Sequence, residues 1–307
     1  MPKTKRNLRP APRYSRERLD TDRKKAIELF IAERRAEGDA LYRSTFEDLR
    51  PRVGRLFAQS DNLTRLTPEI LVDDPELLES LRFLAAPPIS EDDLNTLTGT
   101  SVAKRKTLTS QLAGAAIEVI SEMIDRERCP WLASGRAPSA SEVEIAIKWT
   151  ASILAIEALR TDRRTESATR QQAAVRALLK AHGLTEVERR DIQQLDDLPR
   201  GQFCAEVDVA GSKCDVPVRL WDGRLLTLEC KVSNSGTNSV KRLIRETGGK
   251  VRNWREEFGR QFVGGAVLAG VYKLVNLIEA QEKYGMCIFW EHDLAPLAAF
   301  TEREAAE

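Results

Sequence analysis

The sequence is poor in the residues that form several common kinds of catalytic and structural site. It holds only two histidines, His182 and His292, and five cysteines in 307 residues. An odd number of cysteines without metal-ligand spacing argues against a disulfide framework and against a zinc site. A catalytic thiol is also disfavoured, because only these two histidines could serve as its partner. Cys204, Cys214, Cys230 and Cys287 fall within apolar or strand-like runs, so we expect them to behave as small hydrophobes.

Long apolar runs and a strong net charge are missing as well. The sequence has no stretch of about eighteen apolar residues that could span a membrane and no signal-peptide core at its start, so we expect a cytoplasmic protein. Lys and Arg together (48) nearly equal Asp and Glu (47), which gives a formal net charge of +1. A nucleic-acid enzyme would usually show a basic excess. With 42% hydrophobic residues, the chain can bury one large core or two smaller ones.

The positive charge of the chain is unevenly distributed, with a concentration at the N-terminus. The first eighteen residues carry seven basic side chains against a single acid, Glu17, and they include Pro10 and Pro12. This composition predicts a flexible basic arm over residues 1–19. The arm could follow DNA phosphates, or it could be a disordered terminus that only aids solubility.

Two further regions follow the arm and differ in their residue pattern. Residues 20–165 have helical spacing almost throughout, and residues 143–159 are apolar on more than one side, which indicates the centre of a helix bundle or a dimer contact. We expect residues 20–165 to form a helical domain for DNA binding or dimerisation, and residues 166–307 to form a second, sheet-containing domain. In the second domain we predict helices over residues 169–182, 240–258 and 274–284, and strands over residues 203–210, 263–272 and 286–290.

A predicted hairpin in the second domain brings two acidic residues towards each other. Strand-like runs flank residues 221–223 (Trp-Asp-Gly), and Asp-Gly is a strong hairpin signal. A two-residue loop would place Asp215 on the apolar side, whereas a three-residue loop with Gly223 in the left-handed conformation pairs Asp215 with Glu229. We favour the second register because it separates apolar from polar side chains. It places four polar residues on one face: Asp215, Thr227, Glu229 and Lys231.

Two acids that face each other on a sheet repel unless a cation lies between them. Mg²⁺ suits such a pair, because it binds one or two carboxylates together with waters and phosphate oxygens. We predict that Asp215 and Glu229 bind Mg²⁺ and that Lys231 holds or deprotonates the attacking water. The alternative is an exposed hairpin face with ordinary solvated charges. Glu206 or Asp208 could add a third acid, or both could be solvated strand charges.

These residues resemble the motif of the PD-(D/E)xK nuclease superfamily, an acid on one strand and acid-x-Lys on the next. Asp215, Glu229 and Lys231 match the motif, although Cys214 rather than Pro precedes the first acid. The resemblance implies an α/β (α+β) fold, in which a helical N-terminal region precedes a nuclease core with a central mixed β-sheet flanked by helices. A closer resemblance, to the XamI-like family of type II restriction endonucleases, rests on residues 214–220, 229–235, 238–243 and 289–294.

The segment just after Lys231 is the best candidate for contact with DNA. It begins as a polar loop and continues as a basic helix. Asn and Arg can bond base edges, whereas Lys mostly supports the phosphate backbone. For any single residue, the alternative is an exposed loop or a charged helix face. The candidates are Ser233, Asn234, Asn238, Lys241, Arg242 and Arg245.

The leading hypothesis is a type II restriction endonuclease that uses Mg²⁺ to hydrolyse double-stranded DNA in a bacterial cytoplasm. We expect a homodimer, because two antiparallel strands must be cut with one site per subunit, and a companion DNA methyltransferase in the same system. The resemblance implies a short palindromic target such as GTCGAC. Two alternatives stay open: a non-catalytic DNA-binding regulator, and a repair or RNA nuclease of the same superfamily.

Overall fold

The computed structural model describes residues 8–103 and 105–303, apart from the side chain of residue 164. These residues fall into two compact units. We call residues 37–162 the helical unit, and we call the residues up to 36 together with those from 163 onward the sheet unit. Residues 1–7 of the predicted arm lie outside the described residues. A search of the described helices finds none with the length and apolar character needed to cross a membrane.

The helical unit packs its helices around one hydrophobic core, in which Phe57 and Trp131 are among the largest buried side chains. Short polar residues begin two of its helices: the side chains of Ser90 and Thr109 accept hydrogen bonds from backbone N–H groups of the first turn. In chain order the first eight helices are α1 (Arg16–Glu37), α2 (Ala40–Gln59), α3 (Pro68–Asp73), α4 (Leu77–Arg82), α5 (Glu91–Leu97), α6 (Ser110–Met123), α7 (Trp131–Ser134) and α8 (Ala140–Ala181).

The sheet unit contains eight strands and four further helices among its described residues. The strands are β1 (Thr185–Glu186), β2 (Gln202–Phe203), β3 (Val207–Val209), β4 (Ser212–Cys214), β5 (Val216–Arg219), β6 (Leu225–Ser233), β7 (Phe262–Gly270) and β8 (Cys287–Trp290). The helices are α9 (Gly236–Ser239), α10 (Gly248–Phe258), α11 (Leu274–Glu282) and α12 (Ala295–Thr301). Six strands form one mixed sheet in the order β1-β2-β5-β6-β7-β8, while β3 and β4 form a separate hairpin. The expected α/β (α+β) fold class is confirmed.

The two faces of the large sheet are covered by different groups of apolar side chains. Alternation along β6 sends Leu226 and Leu228 to the face covered by Val175 of α8. It sends Leu225 to the opposite face, where Trp254 of α10 packs. Glu229 and Lys231 come four and six positions after Leu225. Because strand side chains alternate, they lie on the same face as Leu225, the face that α10 covers.

The hairpin register predicted from the sequence is confirmed. The backbone N–H of Leu220 donates to the carbonyl of Arg224 at 2.9 Å, which leaves a three-residue loop between them. Gly223 in this loop has φ of 95°, a conformation that other residues adopt only with strain. Asp215 comes one position before Val216, the first paired residue of β5, so the register places it opposite Glu229. The pairs are Val216 with Leu228, Pro217 with Thr227, Val218 with Leu226, and Arg219 with Leu225.

The helix predicted over residues 240–258 is not a single α-helix. A π-helical segment, Val240–Thr247, connects α9 to α10. One of its wide-turn hydrogen bonds runs from the N–H of Gly248 to the carbonyl of Leu243. π-helical turns are rare and occur frequently at functional sites. The segment carries several of the residues predicted to contact DNA.

The strand predicted over residues 203–210 is also wrong as a single element. β2 ends at Phe203 and pairs with β5, whereas β3 begins at Val207, pairs with β4 and forms a single bridge to Ile192. Ala210 and Gly211, with φ of 44° and 80°, form a tight turn that folds β4 back onto β3, so β3 takes its partner from this hairpin and not from the large sheet. A pattern of alternating residues cannot reveal which partner a strand will choose.

The described part of the predicted arm contacts the sheet unit. Arg224 donates a hydrogen bond to the carbonyl of Arg9 at 2.7 Å, and the side chain of Gln281 bonds the backbone N–H and carbonyl of Tyr14. Residues 20–36 belong to the sheet unit and not to the helical unit. Leu19 and Ala26 of α1 are part of the core of the sheet unit. The domain limits given as 1–19, 20–165 and 166–307 stay predictions.

Candidate active site

Three polar side chains from neighbouring parts of the sheet unit meet on one face of the sheet. Asp215 stands between β4 and β5, where the chain passes from the small hairpin into the large sheet. Glu229 and Lys231 lie two residues apart on β6, so their side chains leave the same face. The pairing of β6 with β7 holds the backbone at both residues, because Glu229 pairs with Ala266 and Lys231 with Leu268.

The Lys231 ammonium group joins the two carboxylates. Its Nζ atom lies 2.9 Å from Oδ2 of Asp215 and 2.9 Å from Oε2 of Glu229. Oδ2 of Asp215 also accepts a hydrogen bond from the backbone N–H of Cys230 at 2.7 Å. The hydroxyl group of Tyr272 donates to the carbonyl of Lys231 at 2.7 Å, which fixes this end of β6. The structure thus brings together the three residues for which the sequence predicts catalytic roles.

Burial makes the charges in this cluster interact strongly. Glu229 is 0% exposed and Asp215 is 8% exposed. Burial raises the pKa of Glu229, and the ammonium groups of Lys231 and Lys250 oppose that rise without cancelling it. Burial lowers the pKa of Lys231, but the carboxylates of Glu229 and Asp215 outweigh burial, so this pKa stands above its usual value. Lys231 is therefore protonated at neutral pH and acts as a hydrogen-bond donor.

A second lysine, Lys250, completes the cluster, and sequence reasoning missed it. It lies in the first turn of α10, and its Nζ atom is 2.9 Å from Oε2 and 3.1 Å from Oε1 of Glu229. The same ammonium group donates to the carbonyl of Lys213 at 2.6 Å. One sequence signal pointed to it: Lys250 lies next to Val251 and one turn before Trp254, which are both buried, so it borders the inward face of its helix.

Helix α10 reaches Glu229 because a glycine lies beneath it on β7. A Cβ atom at Gly264 would lie 2.8 Å from each of the two γ-methyl groups of Val251. Contacts this short do not occur in folded proteins, so a larger residue would push the helix away from the sheet. Because Val251 follows Lys250 directly, this contact sets the height of the Lys250 side chain above Glu229.

The donor set fits a small hard cation such as Mg²⁺. One carboxylate oxygen of Asp215 and one of Glu229 lie 2.9 Å from the same nitrogen atom, so the two carboxylates are close enough to share one cation after the ammonium group moves aside. Mg²⁺ needs only one or two carboxylates and completes its shell with waters and substrate oxygens. Within residues 8–103 and 105–303, no group of three or more His, Cys, Asp and Glu side chains could hold a metal ion.

The two acids considered as additional ligands are engaged by the β3–β4 hairpin. The carboxylate of Asp208 accepts a hydrogen bond from the backbone N–H of Gly211 at 2.7 Å and so stabilises the turn. The carboxylate of Glu206 lies 3.1 Å from the ammonium group of Lys213. Both acids therefore have structural roles in this small hairpin.

The residues predicted to contact DNA differ in their exposure. Asn234, Asn238, Lys241 and Arg245 are exposed, and Arg242 is half-buried. Ser233 is fully buried, and its hydroxyl group donates to the carbonyl of Ser235 at 2.9 Å. In this conformation Ser233 shapes the loop and is not available to DNA, a consequence of the pairing of β6 with β7 as far as Ser233.

Comparison with known proteins shows the family. The sequence model of the family described as XamI restriction endonuclease matches residues 61–290, a range that includes every residue of the cluster. The chain belongs to this family. It is 34% identical over 258 residues to the type II restriction enzyme XamI of Xanthomonas campestris pv. amaranthicola, with 81% of this chain and 93% of that enzyme covered. The family identified from the sequence motifs is therefore confirmed.

A second relative is more distant from this chain. The type II restriction enzyme SalI of Streptomyces albus G is 23% identical over 283 residues, which cover 84% of this chain and 89% of that enzyme. Both relatives are covered along most of their length. Membership of the XamI family makes this chain a restriction endonuclease, and thus a site-specific deoxyribonuclease of the hydrolase class.

Proposed function

We propose that this chain is a Mg²⁺-dependent type II restriction endonuclease that hydrolyses phosphodiester bonds in double-stranded DNA at a specific sequence. The observation that carries the proposal is the convergence of Asp215 and Glu229 on the ammonium group of Lys231, each at 2.9 Å. Two acids and a lysine on neighbouring strands can hold a cation and a water molecule next to a phosphate. The family of the chain supports DNA as the substrate.

The three residues have distinct roles in this proposal. Asp215 and Glu229 hold the cation, and the N–H of Cys230 keeps the carboxylate of Asp215 oriented towards Glu229. Lys231, which is protonated, donates a hydrogen bond that orients the attacking water molecule. Bound Mg²⁺ supplies Lewis-acid stabilisation of the charge that develops on the phosphate oxygens.

Plasmid cleavage tests the proposal. We expect wild-type protein to cut supercoiled plasmid into discrete fragments with Mg²⁺ and not with EDTA. Asp215→Asn, Glu229→Gln and Lys231→Met should each lower the rate by about 10²-fold or more, which is the usual effect of removing a positioned catalytic group. Lys283→Met is the control, because Lys283 is exposed and its ammonium group contacts two local partners, Glu279 and the Tyr284 ring, and no member of the cluster.

Three outcomes would contradict this function. Wild-type activity in Lys231→Met would show that Lys231 takes no part in the reaction. Retention of DNA in gel shifts without metal-dependent cutting at any sequence would favour a DNA-binding regulator. Faster cleavage of single-stranded DNA or RNA than of duplex DNA would favour a repair or RNA nuclease.

We propose that the exposed residues after β6 contact the DNA. Lys241→Ala should weaken binding to all duplexes alike and should lower the slope of log affinity against log salt by about one. Asn238→Ala should instead reduce discrimination between the target and a scrambled duplex by roughly 1–3 kcal/mol. Fluorescence anisotropy over a range of salt concentrations separates the two effects. Equal behaviour of the two variants would contradict the assignment.

We propose that the protein acts as a homodimer, since each chain carries one site and duplex DNA has two strands. Helix α8 presents Ile145, Trp149 and Ile156 at 55%, 51% and 43% exposure, and their spacing of four and seven residues places them on one side of the helix. This apolar stripe is the proposed contact with a second copy. Trp149→Glu should convert the dimer into a monomer in light-scattering chromatography, whereas exposed Lys148→Ala should not. A monomeric wild type would contradict the proposal.

The proposed target is a short palindrome such as GTCGAC, as for XamI-like enzymes, and the proposed setting is a bacterial cytoplasm with a companion methyltransferase that protects host DNA. Digestion of a DNA of known sequence, followed by sequencing of the fragment ends, would identify the target. Ends that share no common sequence would contradict site specificity.

A further inference from the structure

Both carboxylate oxygens of Glu229 are already bound by positive charge. Oε1 lies 3.1 Å from the Lys250 ammonium group, and Oε2 lies 2.9 Å from both Lys250 and Lys231. A metal ion that binds Glu229 must therefore replace at least one ammonium group. Lys231 has a role in the proposed reaction, whereas nothing so far explains why a second lysine binds the same acid.

Contacts on three sides hold Lys250 in this position. Its ammonium group donates to the carbonyl of Lys213 at 2.6 Å and lies 5.9 Å from the centre of the Trp254 ring. The close packing of Val251 on Gly264 fixes the backbone that carries it. A surface lysine that met a carboxylate by chance would have none of these supports.

The side chain of Lys250 is also more exposed to water than that of Lys231. The side chain of Lys250 is 26% exposed, compared with 14% for Lys231 and 0% for Glu229. It is attached near the start of α10, with four flexible carbon atoms between the backbone and the charge. Its ammonium group can move from Glu229 into water without any change in the sheet.

We propose that Lys250 is a built-in competitor of the metal: it occupies Glu229 in the metal-free protein and must release this carboxylate before Mg²⁺ binds. The inference rests on the proposed function, because it assumes a metal site at Asp215 and Glu229. Its physical basis is that a divalent cation and an ammonium group cannot share one small carboxylate without strong repulsion. The wild-type protein thus binds metal weakly in the absence of DNA.

Titration of DNA-free protein with Mn²⁺, followed by electron paramagnetic resonance, tests the inference without any cleavage. Lys250→Met removes the charge, and Lys250→Gln removes the charge but keeps a side chain that can donate to the carbonyl of Lys213. Both should bind Mn²⁺ at least tenfold more tightly than wild type. Arg252→Met is the matched control. Arg252 is exposed, and its replacement removes one positive charge from the same helix. It should bind Mn²⁺ within twofold of wild type.

The outcomes separate this inference from the proposed function. Equal Mn²⁺ affinity of wild type and both Lys250 variants would overturn the inference and leave the metal site standing. Tighter binding in Arg252→Met as well would also overturn it, since the effect would then belong to net charge. Absence of Mn²⁺ binding in every protein would overturn the metal site and the inference together. Thermal melting establishes that each variant is folded, and a Lys250 variant that folds only with Mn²⁺ would support the inference.

Discussion

Replacing Lys231 with methionine removes an ammonium group that contacts two buried carboxylates and leaves an uncharged side chain of similar length. In EDTA the variant should be less stable than wild type, because Asp215 and Glu229 then lose the positive charge between them. Removal of one partner from a buried ion pair costs about 3–5 kcal/mol. The loss should fall at the lower end of this range, since Glu229 keeps Lys250 and Asp215 keeps the N–H of Cys230.

A loss of about 3 kcal/mol corresponds to a fall in melting temperature of roughly 6–12 °C for a unit of this size. The loss of stability in Lys231→Met should increase as the pH rises. Burial raises the pKa of Glu229, and without Lys231, which lowers it, that pKa rises further. A carboxyl group with a raised native pKa binds its proton more tightly in the native state than in the unfolded chain. Its contribution to stability is therefore present at low pH and is lost as the pH rises through the native pKa.

The assay is thermal and denaturant-induced unfolding at pH 5 and pH 8, with EDTA or with Mg²⁺. Mg²⁺ should stabilise Lys231→Met more than it stabilises wild type, because the cation restores the missing charge. Lys283→Met, which loses an exposed charge, should unfold within about 0.5 kcal/mol of wild type. If Lys231→Met in EDTA at pH 8 melted within about 1 °C of wild type, the ammonium group would not be neutralising a buried pair.

Three further predictions concern residues other than Asp215, Glu229 and Lys231. Gln171 is fully buried and its amide has no hydrogen-bond partner among the described residues, so Gln171→Met should raise the free energy of unfolding by about 1 kcal/mol; a loss of stability would show an unrecognised partner. Gly264→Ala should cost about 1–3 kcal/mol through its contact with Val251 and should also tighten Mn²⁺ binding by lifting Lys250; unchanged Mn²⁺ affinity would contradict the second part. All five cysteines are buried, and burial raises the pKa of Cys129 and Cys287 to about 12. Iodoacetamide at pH 8 should therefore label no cysteine until denaturant is added, and rapid labelling of the native protein would contradict their burial.

The sequence was sufficient to predict the features that depend on residues close together in the chain. The Asp-Gly turn and the alternation of apolar residues determine the register of the β5–β6 hairpin, and that register alone places Asp215 opposite Glu229. Lys231 follows on the same face because strand side chains alternate. The meeting of Asp215, Glu229 and Lys231 was predictable because all three belong to one hairpin, Asp215 directly before β5 and the other two on β6.

Features that depend on distant packing were not predictable in the same way. Lys250 reaches Glu229 only because Gly264, on another strand, lets α10 approach the sheet. The burial of Ser233 follows from the length of the β6–β7 pairing, and the break after Phe203 follows from the choice of pairing partner. A local pattern of residues can place Lys250 near the inward face of its helix, but it does not show which distant residue each of these elements meets.

The two carboxylates of the cluster are matched by two ammonium groups, and this balance affects how the protein meets DNA. A bare pair of acids would repel an approaching phosphodiester group, whereas a cluster with no net charge does not. Under the proposed function, DNA binding and DNA cleavage therefore have separate requirements. Under the proposed dependence on Mg²⁺, the protein would bind DNA without cutting it in a medium poor in divalent ions.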